Sequence, residues 1–144
     1  MDYQKQMMQV NRAIAGTTAL YGLFAKEFHI SYNELMILYT IDVENGCTQT
    51  ELVELTQLAK STVHGILKQY EKKALIVLKK EPGNNKEKKI YFTETGRSYT
   101  DEILSMIHKR EAGAMNKMSD EEREWLVKSN TLFFKYFKEE VGIE

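Results

Sequence analysis

"LIVLKKEPGNNKEKKIYFT", Leu75 to Thr93, is the stretch on which the fold turns. Its two ends, "LIVLKK" and "KKIYFT", are rich in β-branched, aliphatic and aromatic residues, and each has about the length of a strand. Between them stands the chain's only proline, Pro82, followed by Gly83, Asn84 and Asn85. Pro82 presets φ for the second position of a turn. Gly83 accepts positive φ at the third, so a type II turn over Glu81 to Asn84 is predicted. The stretch reads as a β-hairpin with a long polar tip.

Everything around the hairpin carries the helical period. Immediately upstream, "KSTVHGILKQYEKKA" places Val63, Ile66, Leu67 and Tyr70 on one face. Before it, "TQTE" at Thr48 to Glu51 is a capping box that opens a short helix with Leu52, Val53 and Leu55. A break falls near Thr56 to Leu58, so the two segments form a helix-turn-helix pattern. "SYNE" at Ser31 to Glu34 is a further capping box. It predicts a helix from about Tyr32 to Val43, with Leu35, Leu38, Tyr39 and Asp42 or Val43 on its core edge and Gly46 beyond its end.

Both ends of the chain are helical too. Met7, Val10, Ile14, Thr17, Tyr21, Phe24 and Phe28 alternate spacings of three and four, and Leu20 and Leu23 widen that stripe. Burial explains it, within the chain or against another chain. After Thr93 the stripe Tyr99, Ile103, Met106, Ile107 and Arg110 continues to Ala114 and Met118. "SDEE" at Ser119 to Glu122 caps a final helix with Trp125, Leu126, Ser129, Leu132, Phe133, Tyr136 and Phe137 on one side. No internal repeat or linker divides the 144 residues, and one domain is expected.

A single cysteine, Cys47, excludes an internal disulfide framework and fits a reducing compartment. The longest uncharged N-terminal stretch, Ala13 to Ala25, is shorter than the ~20 residues of a membrane span. With no convincing cleavage site behind it, a cytoplasmic protein is expected. Net charge is −1, but Lys60 to Phe92 holds nine lysines against three glutamates. That asymmetry suggests a local surface for an anionic partner, or a solvated lysine-rich hairpin.

"TQTELVELTQLAKSTVHGILKQYEKKALI" followed by "NNKEKKIYFTETGR" resembles the MarR family of bacterial winged-helix transcription regulators. Ala74 stands where that family usually has glycine, and Leu78 where arginine or lysine is common. Gly65 takes a position often polar or basic, and Asn84 and Lys86 replace the aspartate and arginine of the wing. The resemblance implies a mainly α fold with a small β-hairpin wing, a winged helix-turn-helix flanked by N- and C-terminal dimerisation helices. The winged helix would cover about residues 31–93, and the dimerisation region about 1–30 and 94–144.

It further implies a homodimeric repressor on a palindromic operator in double-stranded DNA, released by a small-molecule ligand. The recognition helix would enter the major groove and the wing the minor groove. The residues matching those parts are Lys60, Ser61, Thr62, His64 and Lys68 on the helix, and Asn84, Asn85, Lys86 and Lys88 in the wing. Lys60 suits guanine acceptors, Ser61 and Thr62 suit bases or phosphates, and Lys68 suits a phosphate. Thr48, Gln49 and Thr50 form a helix N-terminus fit for a phosphate, although plain capping already explains Thr48. Lys60 to Phe92 holds no arginine, so weaker minor-groove discrimination and a steep salt dependence are expected.

Large side chains on the terminal helices, among them Met7, Val10, Ile14, Trp125, Phe133, Tyr136 and Phe137, are expected at the dimer interface. By resemblance, a small aromatic or anionic effector would sit near Phe28, His29, Tyr39, Tyr99 and Ile103, which also read as ordinary core residues. Cys47 reads as a small buried residue rather than an oxidant sensor. His29, His64 and His108 lack paired ligand spacing, so neither metal nor cofactor is expected. No nucleophile, base and oxyanion set suggests an enzyme. A second reading is a winged-helix protein-interaction module with weak or no DNA binding.

Overall fold

The structure of the chain, a computed structural model, describes residues 2–83 and 87–144. The order is α1 (Tyr3–Glu27), α2 (Tyr32–Val43), β1 (Cys47–Thr48), α3 (Gln49–Thr56), α4 (Lys60–Lys72), β2 (Ile76–Lys79), β3 (Lys89–Phe92), α5 (Glu94–Met115) and α6 (Asp120–Val141). The chain divides into two compact units, Met1–Ser105 and Met106–Glu144, with the boundary inside α5. It is mainly helical with a small antiparallel sheet, the winged-helix architecture expected from the sequence.

All three capping boxes form. The hydroxyls of Ser31, Thr48 and Ser119 each accept from the amide three residues on, and Glu34, Glu51 and Glu122 accept in return from the cap amides. Each satisfies two of the orphan donors at a helix start. The breaks also fall as the sequence reads. α3 ends at Thr56 on the left-handed Gln57, and α4 begins at Lys60.

In the first unit, α2 forms the centre of the core, with Leu35, Ile37, Leu38 and Ile41 all buried. The predicted core edge missed Ile37 and Ile41 and included Val43, which is exposed. The reason is that α2 packs on α1, α3, α4 and β3 together, so it is apolar nearly all round and has no single stripe to read. Leu52 of α3, Val63, Leu67 and Tyr70 of α4, and Ile103 and Leu104 of α5 complete this core.

The wing is one strand larger than the predicted hairpin. β3 pairs with β2 in the register Ile76↔Phe92 to Lys79↔Lys89 and also with β1, Cys47↔Ile90 and Thr48↔Lys89. β1 has two residues, too short to show a period. Gly46 delivers it to the sheet at φ +97, and a Cβ there would meet the Tyr91 ring at 2.3 Å. Gly83 has φ +83, the value a type II turn needs at its third position.

α5 is set by Gly96. Its amide donates to Thr93 Oγ1 at 2.9 Å, while that hydroxyl donates to the Ala74 carbonyl at 2.6 Å. This seating turns Thr100, Ile103 and Leu104 inward, and Tyr99 and Met106 of the predicted stripe lie towards solvent. Arg97 follows with a 2.5 Å contact to Asp42 Oδ1 and its guanidinium 4.8 Å over the Phe92 ring.

In the second unit, α6 has no buried residue. Trp125, Phe133, Tyr136 and Phe137 are all exposed, and the Phe133 and Phe137 rings stack with centroids 5.5 Å apart. In the first unit, α1 is buried only at Phe24 and Ala25, leaving Val10, Ile14, Leu20 and Leu23 exposed.

Candidate nucleic-acid interface

One open groove of about 740 Å³ runs between α3, α4 and the sheet. α4 supplies Lys60, His64 and Lys68 along one wall. Their spacing of four stacks them on one helix face. The adjoining face carries Val63, Leu67 and Tyr70 into the core, so core packing itself fixes which way the basic row points. Val53, Leu67, Leu78 and Ile90 form an apolar floor, and Lys88 stands at the wing side.

Ser61 is exposed and Thr62 half-buried at the start of α4, and neither lines this groove. Ala59, the residue before α4, provides no side-chain cap. The first-turn donors of α4 therefore have no side-chain acceptor from that position. Gly65 is exposed, with nothing within 4 Å of a Cβ built on it. Asn84, Asn85 and Lys86 lie outside the described residues.

α3 presents a different start. Thr48 is buried, its hydroxyl accepting from the Glu51 amide at 3.1 Å. Gln49 and Thr50 reach the groove. The Thr50 amide and hydroxyl both donate to Glu87 Oε1, at 3.0 and 2.9 Å. Glu87 had no expected role. Its partner lies 37 residues away, so no local pattern in the sequence announces it.

Glu87 is not alone. Glu54 and Glu71 also line the groove, so among the described residues its three lysines face three glutamates. Among the described residues, the lysine excess of the segment therefore does not collect here. Lys79 is 5.8 Å from the Tyr91 ring centre on the sheet, and the Tyr91 hydroxyl donates to Glu81, a contact that raises the phenol above its usual range.

Phe28, His29, Tyr39, Tyr99 and Ile103 line none of the groove. Ile103 is buried in the core, and His29 is exposed with a left-handed backbone at φ 59. Phe28 packs on Phe24 with ring centroids 5.0 Å apart. Partial burial and the Glu34 carboxylate raise the Tyr99 phenol. Among the described residues, no group of three or more His, Cys, Asp or Glu is placed to hold a metal ion. None of the helices is long and apolar enough to cross a membrane, as judged from the described residues.

Residues 30–86 match the MarR family model. The whole chain shares its fold with solved MarR regulators. One from Neisseria meningitidis is 20% identical with a TM-score of 0.84, covering 95% of this chain and 96% of that one. A Listeria monocytogenes MarR family regulator complexed with a 26mer DNA is 20% identical with a TM-score of 0.67, covering 100% and 97%. BpsR of Bordetella bronchiseptica, whose DNA binding is regulated by 6-hydroxynicotinic acid, is 15% identical with a TM-score of 0.66, covering 90% and 98%. No curated protein matches the sequence. At these identities the likeness to the solved structures is one of fold.

Proposed function

We propose that this chain is a sequence-specific, DNA-binding transcription regulator of the MarR type that works as a homodimeric repressor in the cytoplasm. The observation that carries the reading is the Lys60, His64 and Lys68 row on the exposed face of α4, beside a wing that bears Lys88. A helix so presented fits the major groove, with Lys60, Ser61, Thr62 and His64 nearest the base edges and Lys68 towards the backbone. Gln49 and Thr50, which line the groove from α3, support a further contact with the same backbone. We assign about residues 31–93 to DNA binding and about 1–30 and 94–144 to dimerisation.

The exposed apolar residues of α1 and α6 support the dimer. Apolar surface is worth ~25 cal/mol per Å² when covered, and Trp125 and Phe137 alone remain 55% and 56% exposed. A two-fold dimer would present two copies of α4 to half-sites about one DNA turn apart. Release by a small aromatic or anionic effector bordered by Phe28, His29, Tyr39, Tyr99 and Ile103 is part of the same reading, supported by the ligand-regulated BpsR relative in fold.

Selection of bound sequences from random duplex DNA tests the function. A palindrome with half-sites one turn apart is the expected result. A chain that retains no duplex at low salt is not a DNA-binding regulator. The equal numbers of lysines and glutamates that the described residues place over an apolar floor favour a second reading, a protein-interaction module. K60A and K68A separate the two: they abolish duplex binding under the first and leave a protein partner bound under the second.

A further inference from the structure

Glu87 lies just before β3, yet its carboxylate sits on the first turn of α3. Thr50 is the second residue of α3, so its amide is one of the donors that the helix itself leaves without a carbonyl. Glu87 Oε1 takes that amide at 3.0 Å and the Thr50 hydroxyl at 2.9 Å. The next amide, that of Glu51, is already held by Thr48. The negative end of the contact is thus a side chain from the wing, and the positive end is a helix of the helix-turn-helix. Charge-assisted bonds of this kind are stronger than neutral ones.

Both partners line the groove that holds Lys60, His64, Lys68 and Lys88. A duplex phosphate drawn in by those cations meets a carboxylate already bound to the donors facing it. One carboxylate oxygen takes both Thr50 hydrogens, so a phosphate that takes them must displace it and is repelled by its charge until it does. We propose that the Glu87–Thr50 contact is an autoinhibitory latch, closed in the free chain and opened when a DNA phosphate displaces the carboxylate. It rests on the DNA-binding reading above. Closed, the latch aligns the wing with α3 and lowers affinity for any polyanion. Open, it surrenders Thr50 to the backbone and turns Glu87 away.

The test compares the wild-type chain with E87Q and E54Q on the duplex enriched by the selection, at several salt concentrations. E54Q removes the same charge from the same groove without touching the Thr50 contact. Thermal melting checks that both variants fold. Under the latch, E87Q binds about tenfold tighter, the scale of one charge-assisted hydrogen bond, while E54Q gains far less. In the free protein, the Thr50 amide of Glu87→Ala exchanges faster with solvent than in the wild type. Equal tightening by E87Q and E54Q overturns the latch and leaves only net charge, as does weaker binding by E87Q. If the wild type and both variants bind no duplex, the DNA-binding reading itself fails, and the latch with it.

Discussion

Gly96 passes so close to Leu75 that a Cβ on the glycine would lie 1.7 Å from the Leu75 carbonyl oxygen. That oxygen also accepts from the Thr93 amide at 3.1 Å, so it has no freedom to retreat. The start of α5 is therefore clamped on the base of the wing by backbone contact, with the Thr93 hydroxyl bridging Gly96 and Ala74. G96A is expected to destabilise the chain by about 3 kcal/mol or more, the range of severe overpacking. Urea unfolding measures it, and an unchanged midpoint would contradict the clamp.

Ala74 sits at φ 55, a left-handed conformation, as the turn after α4 requires. A side chain there costs about 1–2 kcal/mol that glycine does not. A74G is expected to raise the unfolding free energy by about 1 kcal/mol, less than the full strain because glycine also loosens the unfolded chain. A lower urea midpoint would show that the strain is absent.

Gly65 has no such reason within the chain, since it is helical, exposed and uncrowded. G65A is expected to stabilise the free protein by about 1 kcal/mol through helix propensity. Denaturation of the purified variant checks this. Loss of duplex binding in a stabilised G65A would identify the glycine as a point of close approach by DNA.

The Phe133–Phe137 stack on α6 lies in solvent. If a second copy covers it, F133E with F137E leaves a folded monomer, because two buried carboxylates cost far more than the lost contacts. Sedimentation at micromolar concentration decides. A wild-type chain that is already monomeric removes the dimer from the proposed function.

Cys47 is fully buried beside Ile90 in the sheet, and burial pushes its thiol up to about 12. The unfolded thiol ionises near ~8.5. A folded value raised in this way contributes stability that is complete below the unfolded value and is lost as pH climbs from there towards 12. C47A should flatten that alkaline loss. In the native chain the thiol should resist alkylation at neutral pH until the protein unfolds.

Much of this was legible beforehand because it is local. A capping box spans four residues, and all three boxes form where Ser31, Thr48 and Ser119 announce them. The row Lys60, His64 and Lys68 is likewise local, since the periodicity that buries Val63, Leu67 and Tyr70 turns it outward. Glu87 was not legible, because its partner is Thr50. Nor were Ile37 and Ile41, because α2 is covered from several sides and loses its periodic signal.

The order of helices, their starts and the hairpin follow from caps, turn residues and period. Those signals act within a few residues and survive in isolation. The third strand, the glutamates facing the lysines across the groove, and the carboxylate that fills the start of α3 arise only when the chain packs. These join residues far apart in the chain, where geometry after packing, and not composition, sets which charge meets which donor. The lysine excess written from Lys60 to Phe92 is a property of the chain, and the balance of charge in the groove is a property of the fold.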